Sequence, residues 1–221
     1  MYVVKFEGAF AESPEALFNF KKIVESKSLP VVVVAAPLNS ITDRIKAMFA
    51  IAMRKGEGFH IAFEGFKKSL ETWVKKYIEE ERQSVCLSAV EECLERLFLT
   101  LSCNALLKEY KPEARDYVLC LGGKLSALLL SYFLHHAICP DAGDFICTDG
   151  KLSSASMLRE ESCRSIVANF DRLVGVAVVA GGYGRSVEGV NTVLTAEDSE
   201  AVASVIAEAL QAETEPLIAV A

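Results

Sequence analysis

The run PVVVVAAP, residues 30–37, leaves few folds open. Consecutive β-branched residues bounded by prolines suit a strand buried on both faces, the condition of a strand inside a parallel sheet. A second such run, YVVKF at 2–6, opens the chain. Between the two, Ser13 precedes Pro14, a capping hydroxyl followed by the residue whose missing N–H costs nothing in a first helical turn. Two buried strands joined through a helix predict a parallel α/β pairing. After Pro37, Asn39 or Ser40 is placed to cap ITDRIKAMFAIAMRKG, in which Ile41, Ile45, Met48 and Met53 recur at helical spacing up to an end near Gly56. A helical excursion is expected over about 59–108, with Phe63, Phe66, Leu70, Trp73, Val74 and Ile78 on one side and then Val90, Leu94, Leu97 and Leu101.

The strand–helix rhythm is read again in YVLCLGGKLSALLLSYFLHHA: a strand at 117–121, a turn at Gly122 and Gly123, a helix at 125–136. A short strand at 145–148 and a helix at 156–170 follow. The buried run VGVAVVA stops at Gly181, Gly182 and Gly184. GVNTVLTAEDSEAVAS, residues 189–204, reads as an extended segment, a tight connection and a helix of about 197–211, and a last apolar run fills 216–221. Strands alternating with helices predict one domain over 1–221, a three-layer α/β/α sandwich with a mostly parallel sheet.

Charge and cysteines narrow the function classes. A formal net charge of −7 argues against nucleic-acid or anionic-membrane partners, which need a basic footprint. Seven cysteines without CxxC spacing fit neither a disulfide framework nor a zinc site. His135, His136 and Cys139 lack a fourth ligand, so no metal site is expected; the histidines suit the C-terminal end of a helix. The most apolar late stretch, LSALLLSYFL, is half the roughly 20 residues a membrane span needs. A reducing, cytoplasmic location is expected.

Four segments, in order, resemble the catalytic domain of aspartokinase, a member of the amino-acid kinase family. MYVVKFEGAF is similar to the family's KFGG loop, keeping Lys5, Phe6 and Gly8 with Glu7 for one glycine. VVVVAAPLNSITD matches its strand and helix start, with Ile41, Thr42 and Asp43 retained. CLGGKLSALLL matches SFGERLSARLL, and VAGGYG with GVNTVLTAEDSE matches a VTGF.G strand end and a GxTTTLGRGGSD loop. The resemblance implies the amino-acid kinase fold, with ATP and magnesium as cofactors if the chain is active and none otherwise. It also implies amino-acid biosynthesis, a homodimer, and a small-molecule amino acid or nucleotide as ligand. In the family the chain runs on past the equivalent of 216–221, so the nucleotide lobe is expected to be incomplete here.

Carried over residue by residue, the resemblance makes Lys5 the phosphate-binding and catalytic cation, with Gly8, Gly181, Gly184 and Ser199 beside the nucleotide. It places Thr42, Asp43 and Arg185 at the amino acid. The departures all weaken that site. Glu7 brings a side chain and a charge where backbone N–H groups would approach phosphate. Gly123 takes the place of the glutamate that holds the substrate amino group, and Val190 that of the arginine that grips its carboxylate. Thr195, Ala196, Glu197 and Asp198 replace Gly-Arg-Gly-Gly. A carboxylate about 4 Å from a phosphate charge opposes binding by roughly 1 to 4 kcal/mol, depending on screening. A catalytically degenerate domain, a pseudokinase serving as a binding, regulatory or assembly module, is therefore expected; the alternative is an active or fragmentary aspartate kinase that phosphorylates the aspartate side chain. Plainer readings stand beside these roles. Thr42 and Asp43 also suit helix caps, the glycine cluster suits a turn as well as an anion cradle, and Glu197, Asp198 and Glu200 suit the first turn of a helix.

Overall fold

The computed structural model describes residues 1–7, 13–55 and 58–215, with Asn39, Lys55, Thr214 and Glu215 described by their backbone alone. Gly8, Gly56 and the run 216–221 lie outside the described residues. The two β-branched runs form β1 (Tyr2–Phe6) and β2 (Val31–Ala35), and every residue of β2 is buried. They pair in parallel, with Lys5 opposite Val34. The helix between them, α1 (Pro14–Glu25), is capped by Ser13, whose hydroxyl accepts the Ala16 N–H at 3.4 Å. It buries Leu17, Phe20 and Val24, and the Phe20 ring packs 4.5 Å from that of Phe6.

Four helices follow: α2 (Asn39–Lys55), α3 (Phe59–Tyr77), α4 (Glu80–Leu107) and α5 (Pro112–Phe133). The apolar stripes expected of the excursion face inward, with Phe63, Phe66, Leu70 and Val74 of α3 and Val90, Leu94, Leu97 and Leu101 of α4 buried. The start of α2 differs from expectation. The Leu38 carbonyl accepts from both Ile41 and Thr42, each at 3.0 Å, so the helix has already begun at Asn39. Thr42 and Asp43 therefore sit beyond the first turn and cap nothing.

The larger correction concerns 117–121, which is no strand: α5 runs unbroken through it and through Gly122 and Gly123. A short apolar run bounded by glycines cannot be told from a buried helix by its pattern. Gly122 serves close packing instead of a turn, whereas Gly123 is in ordinary contact. A Cβ on Gly122 would stand 3.0 Å from the Ile45 Cδ1 of α2, and one on Gly123 would stand 3.4 Å from the Tyr183 ring. α5 is long and apolar enough to cross a membrane by length and composition, yet most of it is buried within the protein.

The remaining elements are β3 (Ala137–Ile138), β4 (Cys147–Thr148), α6 (Arg159–Phe170), β5 (Val176–Ala180), β6 (Tyr183–Ser186), β7 (Asn191–Val193), α7 (Ala196–Leu210) and β8 (Glu213–Glu215). The strand expected at 145–148 is only its last two residues, because Phe145 and Ile146 follow a 3-10 turn at Ala142–Asp144. α6 starts at Arg159, later than expected, since the Met157 N–H is taken by Asp198 of α7 at 3.1 Å. The main sheet has the order β3-β5-β2-β1-β8 and its pairings are parallel. A small sheet, β4-β6-β7, pairs β6 with β7 antiparallel. α5 packs on β5 and carries α2 and α4, while α7 covers β1 from a helix pair with α6. α1 joins the α5 side through Phe18 and Phe133, 5.6 Å apart. The result is an α/β sandwich with helices on both faces of a mainly parallel sheet.

Candidate functional site

Open parallel sheets bind ligands outside the carboxyl ends of their strands. Three of the residues singled out from sequence meet there, gathered by the first turns of α7. Lys5, next to last in β1, forms an ion pair with Glu200 of α7 and has Glu7 at 3.7 Å. Gly181, just past β5, donates its N–H to the Ala35 carbonyl at 2.9 Å. Its own carbonyl accepts from the Ser199 hydroxyl at 3.0 Å. A Cβ on Gly181 would come within 3.0 Å of Val34 Cγ1, so glycine lets the β2 and β5 ends close together without displacing that side chain.

The carboxylates of this loop each have a separate use. Thr195 caps α7, its hydroxyl accepting the Asp198 N–H at 3.1 Å. Asp198 accepts in return from that hydroxyl and from Met157 N–H, both at 3.1 Å. Thr195 N–H donates to Ala155 at 3.0 Å, and Ala155 N–H to Val193 at 2.8 Å, which stitches the loop to the 149–157 segment. Glu200 holds Lys5. Glu197 is exposed at the positive end of the helix, where an acid is favourable.

The other singled-out residues lie elsewhere. Gly184 is inside the small sheet, where a Cβ would fall 2.4 Å from the Ile146 carbonyl oxygen; close strand packing explains this glycine completely. Arg185 of β6 donates to Asn191 Oδ1 and Asp144 Oδ1, each at 3.0 Å, and lies 3.7 Å from Asp141. Asp43 is exposed, 3.7 Å from Lys46. The Thr42 hydroxyl is buried without a hydrogen-bond partner.

Where Gly123 stands, the space is filled by Tyr183, only 2% exposed, whose hydroxyl donates to Asp141 at 3.0 Å. Lys124 donates to the other oxygen of Asp141 at 2.8 Å, and the Gly143 N–H adds a third contact at 2.9 Å. Burial alone raises the Asp141 pKa, but the Lys124, Gly143 and Tyr183 donors outweigh it and hold the carboxyl below its ordinary value. Burial lowers the Lys124 pKa, and the Asp141 contact more than reverses this. Burial, then the Asp141 charge, pushes the Tyr183 phenol upward, so it stays a donor. Sequence reasoning missed this group, although Asp141 after Pro140 is a turn-capping pattern. It also missed Asp116, fully buried, which accepts from Ser153 at 2.8 Å and Val193 at 3.1 Å. Asp116 lies within α5, which a strand beginning at 117 does not foresee.

His135 and His136 lie beyond the end of α5, with His135 3.4 Å from Glu79 and 3.9 Å from Glu25. Among the described residues no group of His, Cys, Asp and Glu is arranged to hold a metal ion.

The strand ends of this α/β sandwich thus bring a lysine and a glycine to the N-terminal turns of α7. The chain belongs to the amino acid kinase family, whose sequence model matches residues 1–218. In fold it is similar to E. coli aspartokinase III in complex with aspartate and ADP in the R-state, at a TM-score of 0.81 and 19% identity over 98% of this chain and 48% of that one. The structure of the same enzyme with lysine and aspartate in the T-state matches at 0.80 and 20% identity over 98% and 48%. Clostridium acetobutylicum aspartate kinase matches at 0.73 and 19% identity over 97% and 47%. The chain thus spans about half the length of these solved structures.

Proposed function

We propose that this aspartokinase-like domain is catalytically degenerate and works as a binding, regulatory or assembly module in a reducing, cytoplasmic setting. The observation that carries the reading is the neutralisation of Lys5, whose ammonium lies between Glu200 and Glu7. Phosphoryl transfer asks a protein chiefly for positioning and for positive charge around the phosphates. Here the lysine equivalent to the family's phosphate cation already has two carboxylates, and Glu197 occupies the helix end that would favour an anion. The residues as they stand do not fit a magnesium triphosphate. The amino-acid side is altered in the same sense. Tyr183 packs over Gly123, Arg185 is spread over Asn191, Asp144 and Asp141, and Val190 supplies no cation. A one-domain reading over 1–221, with pairing into homodimers, completes the proposal.

The second reading, an aspartate kinase using ATP, magnesium and aspartate, draws on the gathering of Lys5, Gly181 and Ser199 at one set of strand ends. Melting temperatures with and without millimolar magnesium ATP, ADP and aspartate separate the two, because a ligand that binds the folded state raises the midpoint by mass action. The degenerate reading expects no shift with the nucleotides. A nucleotide shift that Lys5→Ala removes overturns it and makes hydroxamate trapping of an acyl phosphate the next assay.

A further inference from the structure

A cavity of about 380 Å³ opens between α2 and the N-terminal half of α5, on a part of α2 beyond the strand-end site. Its floor is apolar: Phe49 and Met53 from α2 and Val118 from α5, with Tyr110 from the α4–α5 connection as one wall. Phe49 and Tyr110 meet edge to face at 6.3 Å, making an aromatic corner. Tyr110 is nevertheless 55% exposed, so much of an aromatic surface faces the opening instead of the core. Its rim carries Lys46, Arg54 and Arg115, and among the described residues no carboxylate lines it. In a chain whose net charge is −7, three cations around an apolar floor stand against the general balance.

Two of these cations, Lys46 and Arg54, are weakly engaged. Among the described residues Lys46 has only the exposed Asp43, at 3.7 Å. Arg54 has no ion-pair partner among the described residues. Arg115 is committed, donating to the Ser153 hydroxyl at 3.3 Å and facing the fully buried Asp116 at 3.6 Å. An apolar pocket with a few convergent polar groups, at the lower end of the roughly 300–1,000 Å³ seen for small-molecule sites, is the physical form of a ligand pocket.

We propose that this cavity binds a small amphipathic carboxylate, its aromatic or aliphatic body on Phe49, Met53 and Val118 and its carboxylate among Lys46, Arg54 and Arg115. The apolar body supplies affinity by leaving water, and the cations, walled on one side by apolar surface, select the charged head. A phosphate or other compact anion lacks the body that the floor requires. The cavity shares no residue with the strand-end site of Lys5, Gly181 and Ser199.

Isothermal titration calorimetry with 4-phenylbutanoate and its uncharged counterpart 4-phenylbutan-1-ol tests this on the whole chain. The carboxylate is expected to bind saturably and about tenfold more tightly than the alcohol, the sum expected of two partly desolvated charge contacts. The double variant Lys46→Ala, Arg54→Ala is expected to remove most of the carboxylate's advantage over the alcohol. Ala50→Trp, an exposed α2 position lining the cavity, is expected to abolish binding of both. Equal affinity for acid and alcohol, no binding of either, or unchanged binding by Ala50→Trp each overturns the proposal. So does self-association of the parent that Ala50→Trp removes, which assigns the cavity to a second copy of the chain. Neither nucleotide nor aspartate is present in the assay, so its failure leaves the reading of the Lys5 site untouched.

Discussion

At the scale of single residues, the two charged groupings of this protein are held to very different degrees. Glu200, which holds Lys5, has a side chain 72% exposed, so solvent screens the pair and side-chain freedom opposes it. Glu200→Gln is therefore expected to change the unfolding free energy by no more than about 1 kcal/mol in a urea titration. A much larger loss would mean that the pair organises the loop as well as neutralising Lys5. Asp141 is different, with Lys124, Gly143 and Tyr183 all donating to it. Its folded-state pKa is depressed, so its contribution is full above the unfolded value of about 4 and is withdrawn as pH falls through the lower folded value. Lys124 has the opposite sign: raised in the fold, it contributes fully below about pH 10 and loses that contribution as pH rises through its folded value. Asp141→Asn is expected to cost about 1–3 kcal/mol at neutral pH and to flatten the acid limb of a stability-versus-pH curve measured by denaturant titration. An acid limb as steep in Asp141→Asn as in the parent would assign that limb to other carboxylates.

At the scale of elements, three glycines show what the sequence displayed and what it concealed. The β-branched runs at 2–6 and 31–35 specify buried parallel strands by themselves, and the Ser13–Pro14 pair specifies the helix between them. The 117–121 run is equally apolar, yet it belongs to a helix that continues through Gly122 and Gly123, which face Ile45 and Tyr183, partners no local pattern names. The site divides in the same way. Lys5, Gly181 and Ser199 carry recognisable positions, whereas the Asp141 group is assembled from α5, the 140–144 turn and β6, distant in sequence. Glycine inside a helix costs about 0.5–1 kcal/mol relative to alanine. A Cβ on Gly123 would meet the Tyr183 ring at an ordinary 3.4 Å, so Gly123→Ala is expected to stabilise the protein by that amount. On Gly184 a Cβ would fall 2.4 Å from a backbone oxygen that cannot swing away. Gly184→Ala is accordingly expected to destabilise by about 2 kcal/mol or more, within the range for overpacking. Paired chemical melts decide it; destabilisation by Gly123→Ala would mean that Tyr183 is packed more tightly over α5 than its contact distance implies.

At the scale of the whole molecule, one continuous core links the sheet to all the helices, and it is this core that governs the seven thiols, all of them free. Cys86, Cys93 and Cys120 are buried along α4 and α5, Cys103 is exposed on α4, and Cys139, Cys147 and Cys163 are intermediate. Burial pushes the Cys86 thiol up to about 11 and Cys139 up to about 12, and raises Cys93 and Cys120 as well. The thiolate is the reactive form, so a thiol near 12 presents only about one part in ten thousand of it at pH 8. Native protein treated with Ellman's reagent is therefore expected to modify Cys103 first, Cys147 and Cys163 more slowly, and Cys86, Cys93, Cys120 and Cys139 only at the rate at which the fold opens. In denaturant all seven should react together. Because α4 and α5 share one core with the sheet, the protected thiols should become reactive in a single phase that tracks global unfolding measured by circular dichroism. Reaction of Cys86 or Cys120 well before that transition would show instead that α3, α4 and α5 open as a separate unit, and that the core joining the helical excursion to the sheet is weaker than its burial implies.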